Sequence, residues 1–471
     1  MLKDLGGFSG GSNAAATWQN YTNAEVVGTQ RRRSRGERVL VGLGALRSSL
    51  VGVIIFRDVR VFDGLGGPSF PGTVTIEGSY ITAVDHGVDE VARRDATVVD
   101  GRGATLMPGL IEAHAHLTFP SSVDRVFTGL DLPAEEHLLV AAHNARVLLD
   151  HGYTSAYSAG SRGQRFEVAL RDEIDAGYLP GPRLRASSQE TSGSRASGLP
   201  GSHDTRHERT SQGLRDYISA MADIGVDSIK FELSGADIDG PGESARVLFT
   251  DDEVAVIGEQ ARRCGVWLSC HSQASGSIKQ AVRNGFRILY HCNLADNEAL
   301  DLLEAARDRV FVAPAAGLPY RRIHDAADFG IDHDLATAMG AFDSLNGMIE
   351  VIPELHRRGV RVLPGGDYGF PYNPIGRNAR DLELFVTLFG FGPIDTLVAA
   401  TRHGGELMDL PVGQIRSNYL ADLLLVDGDP TTDITVLQDQ TRLLAIMKNG
   451  EFHRPPTTLN LQQISTPPPP S

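Results

Sequence analysis

The chain has 471 residues, of which 41% are hydrophobic and 22% charged, and its formal net charge at neutral pH is −15. This length accommodates one large α/β barrel with a smaller domain, or two to three ordinary domains. The negative charge argues against nucleic acid or an anionic membrane as a partner, and no apolar run approaches the roughly twenty residues of a membrane span. The cysteine count of 3 makes no disulfide framework in so long a chain, which favours a reducing, cytoplasmic location.

The two ends of the chain differ in composition from the rest. Residues 1–50 are rich in Gly, Ser, Asn and Ala, with a basic cluster at Arg31–Arg35. Because they lack a sustained hydrophobic period, we expect a disordered or non-native extension here, although a transit peptide has a similar composition. Residues 455–471 end in prolines and a serine and predict a disordered, Pro-rich tail.

Short apolar segments broken by Gly and Asp flank the central part of the chain. They occupy residues 51–106, for example Val53–Phe56 and Thr73–Gly78, and return over residues 408–454, for example Ala421–Pro430. Each set is too small to bury a core alone. We therefore expect the two sets to pair with each other in a composite β-sandwich.

Residues 107–407 alternate strand patterns with helical patterns. The strand candidates are Ser155–Ser158, Ser228–Leu233, Val266–His271, Arg287–His291, Val310–Ala313 and Arg361–Leu363. The helix candidates are Glu135–Asp150, Arg165–Ala176, Gly213–Ile224, Thr250–Cys264, Asn297–Arg307 and Asn346–Arg358. Alternation over so long a stretch predicts the α/β class and, within it, a (β/α)8 TIM barrel.

An apolar strand pattern that starts at Leu106 ends in His114-Ala115-His116. Side chains two apart on a strand share a face, so both imidazoles should point the same way. Imidazole is the commonest protein ligand for a borderline divalent metal. A single His-x-His pair is weak evidence, and it gains weight only if further ligands follow at later strand ends.

Further ligand candidates do end the later strand patterns, where barrel enzymes carry their chemistry. They are Lys230, His271, His291 and Asp367. Each alone has an ordinary explanation, such as a loop histidine, a salt-bridge lysine or a turn aspartate. Their joint occurrence in this order predicts a metal centre.

Two neighbouring divalent ions require anionic oxygen between them, which an amine cannot supply. A carboxylated Lys230, formed by addition of carbon dioxide to the uncharged amine, would supply it as a bridging ligand. His114 and His116 would then hold one ion, and His271 and His291 the other. Asp367 would bind the first ion and reach the bridging hydroxide. Zinc is the expected metal, and manganese, cobalt and iron are compatible with the mixed nitrogen and oxygen ligands.

These segments resemble the amidohydrolase superfamily, and more narrowly its imidazolonepropionase-like and Xaa-Pro or acyl-amino-acid dipeptidase branch, which includes ochratoxinase. The matching stretches, which lie within Val53–His453, are Met107–His116, the Lys230 strand, His271, His291, Gly365–Gly369 and Ala421–Pro430. The resemblance implies hydrolysis of a C–N bond by a metal-bridged hydroxide, with Asp367 taking the water proton and returning it to the leaving nitrogen. It also implies a homo-oligomer.

By the same resemblance, His203 is the first candidate for stabilising the oxyanion, and Tyr290 is a weaker one because strand alternation turns it away from the metal face. The segment after Asp367 offers Tyr368, Arg377 and Arg380 for substrate binding, since a bidentate guanidinium suits the carboxylate of an acylated amino acid. Arg380 has an equally good alternative as the partner of the next residue or as a helix cap.

The expected substrate is a small-molecule amide, either an N-acyl amino acid or a dipeptide-like or ochratoxin-like compound. The alternative is a carbamate, urea or cyclic amide cleaved by the same centre. A deaminase is disfavoured because Ala274 stands where such enzymes need a glutamate three residues after the His271 position. A catalytically silent scaffold is disfavoured because all six ligand positions are retained.

Overall fold

The computed structural model describes residues 52–87, 96–192 and 210–457, and the backbone of a strand at 461–463. These residues all belong to one compact unit, Ser49–Ser471. The class is α/β, as the sequence predicts. Residues 1–50 lie outside the described part, so the expectation of an extension there stays a prediction.

The strands are β1 Val53–Val61, β2 Phe70–Glu77, β3 Tyr80–His86, β4 Ala96–Asp100, β5 Thr105–Pro108, β6 Leu110–Ala115, β7 Tyr153–Ser158, β8 Arg183–Arg185, β9 Thr191–Ser192, β10 Ser228–Glu232, β11 Trp267–Ala274, β12 Ile288–Leu294, β13 Phe311–Ala313, β14 Arg361–Val362, β15 Leu423–Val426, β16 Leu443–Lys448, β17 Glu451–Arg454 and β18 Leu461–Gln463.

The α-helices are α1 Ala134–Asp150, α2 Phe166–Asp175, α3 Ser211–Ile224, α4 Asp251–Cys264, α5 Ser275–Arg283, α6 Asn297–Ala305, α7 Gly317–His324, α8 His333–Ala338, α9 Ala341–Arg357, α10 Arg380–Thr387, α11 Pro393–Val398 and α12 Gly404–Met408. In the described part of the chain, no helix is both long enough and apolar enough to span a bilayer.

The terminal segments share one mixed sheet of order β17-β16-β15-β5-β1-β2-β3. β4 also belongs to this sheet and pairs parallel with the first half of β1, Val53–Arg57. The join between them is the antiparallel pairing of β5 with β15, in which Leu106 faces Leu425. One set of apolar side chains from both segments, including Val74 and Met447, is buried together. The expected pairing of the terminal segments is therefore present, whereas their arrangement as a sandwich stays a prediction.

The tail departs from its prediction at one place. Residues 455–471 are expected to be disordered, but β18 pairs antiparallel with β4, with Leu461 opposite Val99. The edge of β4 that faces away from β1 offers unpaired backbone groups, and a short extended segment satisfies them.

The strands that carry the predicted ligands are parallel. Six form a sheet of order β14-β13-β12-β11-β10-β9, and three form the sheet β6-β7-β8. Single parallel bridges between Ser187 and Ser228, and between Ser161 and Gln189, connect the neighbouring ladders. On β10, Ile229 and Phe231 pack in the outer core with residues of α3 and α4. This places Lys230 on the opposite face, as strand alternation predicts.

Helix ends follow familiar capping chemistry. Thr250 and Glu253 form a capping box at the start of α4, and Gly265 ends that helix in the left-handed region. The predicted helices occur close to their predicted bounds, but the helices from α10 to α12 have at most eight residues. Helices this short span too few turns for a hydrophobic period to be recognised, which is why the sequence did not predict them.

Candidate metal centre and active site

His114 in β6 and His116 just after it lie side by side and are buried, with ring centroids 5.2 Å apart. Nδ1 of His116 donates to the carbonyl of Gly160 at 3.0 Å. In the neutral ring this bond leaves Nε2 with its lone pair, as in a metal-ligating histidine. Nε2 of His116 lies 3.3 Å from Oδ1 of Asp367, and Nε2 of His114 lies 3.8 Å from the same oxygen.

His291 enters the site because alternation fails at the end of β12. His291 and Cys292 have φ angles of 74° and 59°, in the left-handed region that non-glycine residues seldom adopt. As a result Tyr290 and His291 both point inward. The Tyr290 ring lies 4.0 Å from the His114 ring, between centroids, and His291 lies 5.4 Å from His114. The expectation that Tyr290 faces away from the metal side is wrong for this reason.

The loop after β14 presents Asp367 with φ of 60°, a second strained position. The buried carboxamide of Asn373 holds that backbone by donating to the carbonyls of Gly366 at 2.9 Å and Asp367 at 3.0 Å. Ligand atoms of His114, His291 and Asp367 thereby converge within 4.8 Å of one another. Strained backbone of this kind costs about 1–3 kcal/mol per residue and is concentrated at functional sites.

Lys230 and His271 complete the cluster of six predicted ligands. Nζ of Lys230 donates to the carbonyl of Ala159 at 2.7 Å and pairs with Oε1 of Glu190 at 3.0 Å. It also lies 4.5 Å from the centroid of Tyr290. His271 contacts His291 with 4.3 Å between ring centroids, and its Nε2 lies 3.2 Å from the carbonyl oxygen of Gly235.

Electrostatics fix the charge states that a metal centre needs. Burial lowers the pKa of His114 and His291 well below the ordinary histidine value, and it lowers the pKa of His271 in the same direction, so these rings are neutral. Burial opposes ionisation of Asp367, but at the low pH where this carboxyl would titrate, attraction to His114, His116 and His291 in their protonated forms outweighs burial, and the pKa of Asp367 falls below its ordinary range. The site therefore combines neutral imidazoles with an anionic carboxylate.

This donor set fits a divalent cation. In the neutral ring, the Nε2 lone pair of His116 faces the Asp367 carboxylate at 3.3 Å. Two electron-rich atoms at this distance require a proton or a metal ion between them. Nδ1 of His114 is buried and has no hydrogen-bond partner in the described part of the chain. Mixed imidazole and carboxylate ligands suit Zn²⁺, Mn²⁺ or Fe²⁺.

A layer of buried acids and amides behind the ligands escaped the sequence analysis. Glu112 accepts from the backbone N–H of His114 at 2.9 Å and from Asn378 at 2.8 Å. Asp381 accepts from the Tyr368 hydroxyl at 3.0 Å and from the Gly365 N–H at 3.2 Å. These bonds attach the loop that carries Asp367 to the strand that carries His114. The sequence did offer a signal for Glu112, because it lies within the Met107–His116 motif, two residues before His114.

The predicted substrate-binding residues lie in varied surroundings. Tyr368 is buried, with its hydroxyl bound to Asp381. Arg377 is exposed, and Arg380 bonds the Tyr320 hydroxyl at 3.3 Å and pairs with Glu383 at 3.5 Å. Arg380 therefore does not pair with the residue that follows it. His203 lies outside the described residues, so its role stays a prediction.

A different arginine lies beside the cluster. Arg322, on α7, is fully buried and donates from Nε to the Tyr372 hydroxyl at 3.2 Å. Its Nη1 lies 3.4 Å from Oδ1 of Asp237. The charge of Asp237 acts on the pKa of His271, and the charge of Asp367 acts on that of Arg322, so this arginine lies within electrostatic reach of the cluster. Arg322 sits on a helix absent from the predicted set, so no strand pattern pointed to it.

Comparison with known proteins identifies the family of the chain. The model of the "Amidohydrolase family" matches residues 105–452. The chain belongs to the amidohydrolase family. Ochratoxinase of Aspergillus niger is 24% identical over 382 residues, which cover 75% of this chain and 77% of the relative. Imidazolonepropionase of Anaeromyxobacter dehalogenans is 24% identical over 430 residues, covering 76% of this chain and 96% of the relative.

Among solved structures, a Xaa-Pro dipeptidase with bound methionine superposes with a TM-score of 0.73 at 22% identity, covering 85% of this amidohydrolase and 100% of that chain. A likeness of this kind establishes a shared fold, and it supports the predicted α/β TIM-barrel class. Family and relatives together make this amidohydrolase a hydrolase that acts on carbon–nitrogen bonds, as the sequence predicted.

Proposed function

We propose that this amidohydrolase is metal-dependent and cleaves the amide bond of an N-acyl amino acid or a dipeptide-like or ochratoxin-like compound. The observation that carries the proposal is the convergence of His114, His291 and Asp367, with ligand atoms within 4.8 Å, and of His116 onto the same carboxylate. Neutral buried imidazoles beside a buried anion favour a divalent ion over solvent. The homo-oligomer expected from the sequence belongs to the same proposal.

The expected cofactor is a pair of divalent ions, with zinc first among the candidates. His114 and His116 would hold one ion, His271 and His291 the other, with Asp367 on the first and carboxylated Lys230 between them. When bound, the ions lower the pKa of a water molecule and polarise the scissile carbonyl. The chain's own residues do the rest of the work.

Asp367 is the group that moves the proton. Its low pKa keeps it ionised at neutral pH, so it can accept the proton of the attacking water. It then returns that proton to the leaving nitrogen, which would otherwise depart as an unstable amide anion. Asn373 keeps the carboxylate in place by holding the backbone carbonyls of Gly366 and Asp367.

Arg322 supports a substrate that carries a carboxylate. A guanidinium buried beside the cluster is an expensive group to desolvate, and its Nη1 contact with Asp237 is long, at 3.4 Å. A substrate carboxylate would give it a stronger, charge-assisted partner. An acylated amino acid has this group next to its scissile amide.

The proposal also includes the expected architecture, a closed barrel with a composite β-sandwich. A Cβ atom built on Gly365 would lie 2.9 Å from the backbone nitrogen of His114, so the segment after β14 approaches β6 closely. This contact favours a closed (β/α)8 barrel over residues 107–407, with the paired terminal segments forming the composite β-sandwich.

The test is a substrate panel on protein stripped of metal and then reloaded with Zn²⁺ or Mn²⁺. N-acyl amino acids and Xaa-Pro dipeptides should be hydrolysed, the chelated protein should be inactive, and esters of the same acids with no free carboxylate should be poor substrates. Turnover of aryl carbamates or ureas alone would favour the alternative substrate class. Full activity in the chelated protein would contradict the metal dependence.

A further inference from the structure

Glu190 is an acid of the site that neither the predicted ligand set nor the proposed mechanism uses. It lies between β8 and β9, where the third parallel strand ends, and its side chain is 21% exposed. A Cβ built on Gly160 would lie 3.4 Å from Cβ of Glu190 and 3.5 Å from both Cε1 of His116 and Cγ of Lys230. Three side chains therefore meet over one glycine, and Glu190 is as close to that point as two predicted metal ligands.

Lys230 has the surroundings of an ammonium ion. A carbonyl oxygen at 2.7 Å, the Glu190 carboxylate at 3.0 Å and an aromatic face at 4.5 Å surround Nζ. All three groups attract positive charge. Glu190 thus has a cation beside it in the metal-free protein, and His116 and His271 also lie within its electrostatic reach.

Carboxylation of Lys230 removes that cation. The lysine nitrogen forms a bond to the carbon of CO₂, the ammonium gives two protons to solvent, and the product carries one negative charge. Glu190 would then be a largely buried carboxylate facing a second anion. A largely buried charge that loses its partner of opposite sign is strongly destabilising. A divalent ion bound beside Glu190 would offset this repulsion.

We propose that Glu190 is a further ligand of the metal centre in this chain, paired with Lys230 in the metal-free protein and bound to a divalent ion in the loaded protein. The proposal rests on the metal-dependent function proposed above. A purely structural role, in which Glu190 only neutralises Lys230, makes the opposite prediction for metal binding. The two roles are separable by measuring the metal itself.

The experiment compares the metal-free full-length protein with its Glu190→Gln and Glu190→Asp variants. Zn²⁺ is titrated in bicarbonate buffer by calorimetry, and metal per chain is counted by mass spectrometry. Gln keeps the size of the side chain and removes its charge, so we expect it to weaken at least one metal equivalent by on the order of 10–100-fold. Asp keeps the carboxylate and should restore part of that loss.

Glu167→Gln is the matched control. Glu167 is also buried and also lies within electrostatic reach of His116, but its carboxylate accepts the Ser187 N–H at 3.0 Å. This variant should retain the metal stoichiometry and affinity of the parent. If Glu190→Gln binds both equivalents within twofold of the parent, Glu190 is not a ligand and the proposed function stands. If the parent itself binds no metal, the metal-dependent function is contradicted, and the role of Glu190 as a ligand is contradicted with it.

A spectroscopic arm covers the case in which Glu190→Gln does not fold. The parent and the Glu190→Asp variant are loaded with Co²⁺, whose visible absorption reports its ligands. A change in the position or intensity of the bands supports ligation, because the shorter side chain alters the geometry around the ion. Identical spectra would overturn the proposal.

Discussion

The two ends of the parallel strands differ in how their polar side chains find partners. At the starting end, Arg287 donates to the carbonyls of Leu407 at 3.1 Å and Glu406 at 2.8 Å and lies 4.3 Å from the centroid of Trp267. Arg185 bonds the Met408 carbonyl at 2.9 Å in the same way. Both of these guanidiniums bond backbone carbonyls of the protein, and the bonds hold the end of α12 against the strands.

At the finishing end, polar groups point at one another. Neutral imidazoles face a carboxylate, and the backbone is left-handed at His291, Ala315 and Asp367. Such an arrangement is costly unless a ligand completes it. The difference indicates that the starting end contributes stability and the finishing end contributes chemistry, which is the division expected of barrel enzymes.

The largest effect should come from Asp367→Asn, which removes the proton acceptor with little change in size. We expect kcat to fall by about 10²–10⁴-fold, the usual contribution of a positioned acid or base. Steady-state kinetics on the substrates identified by the panel would measure it. Retention of more than a tenth of the parent activity would remove Asp367 from the proton-transfer role.

Asn373→Ala tests whether the finishing end depends on its supporting bonds. Because Asn373 holds the carbonyls on both sides of the strained Asp367 peptide, we expect a loss of about 10–100-fold in kcat. The pH–rate profile should shift as well, because a less tightly held Asp367 would lie at different distances from the neighbouring imidazoles and its pKa would change. An unchanged profile with reduced folded fraction would assign Asn373 to stability alone.

Arg322→Met tests the carboxylate subsite. Losing one charge-assisted hydrogen bond costs about 1.5–3 kcal/mol, which corresponds to roughly 10–150-fold in kcat/KM for anionic substrates. Neutral analogues, such as the corresponding amides, should be affected far less. Equal losses for charged and neutral substrates would contradict the assignment.

Arg287→Met tests the starting end of the parallel strands. It removes the bonds to Leu407 and Glu406 while keeping an apolar stem on Trp267, so we expect a loss of about 2 kcal/mol in unfolding free energy. Urea denaturation would measure that loss. Specific activity per folded molecule and metal content should stay at the parent level. A loss of either would contradict the claim that the starting end contributes stability alone.

Glu167→Gln has the smallest expected effect on activity and a defined effect on pH dependence. Burial raises the pKa of Glu167 from 4.5 to about 7, so the folded state holds a proton that the unfolded chain releases. That contribution is fully present below pH 4.5 and is lost as pH rises to 7, by about 3 kcal/mol. In the variant this part of the slope of stability against pH should disappear, which denaturation at pH 5 and pH 7.5 would measure.

The strand ends, and the side chains that gather at them, could be predicted from the sequence because both follow from local patterns. Alternation on β10 correctly placed Lys230 opposite Ile229 and Phe231. The same rule failed at Tyr290, because the backbone is left-handed at His291 and Cys292 and this interrupts the alternation of the strand. The pairing of β5 with β15 followed from two segments that each needed a partner.

Contacts between segments that are distant in the sequence could not be predicted from local patterns. Glu190 follows a strand too short to show a pattern, and Arg322 and Asn373 act through backbone groups and neighbours that only the folded chain brings near. The predicted arginines, Arg377 and Arg380, were chosen for proximity in sequence to Asp367. The folded chain instead brings Arg322 within electrostatic reach of Asp367, which is why the proposed carboxylate subsite uses it.

The most direct test of the central claim is to count divalent metal bound to the purified chain and to its His114→Ala/His291→Ala double variant, with hydrolysis measured on the same samples. The account predicts up to two equivalents per chain in the parent, a loss of at least one in the double variant, and activity that rises with occupancy. A parent that hydrolyses amides with no bound metal, or a double variant that binds metal as the parent does, would contradict it.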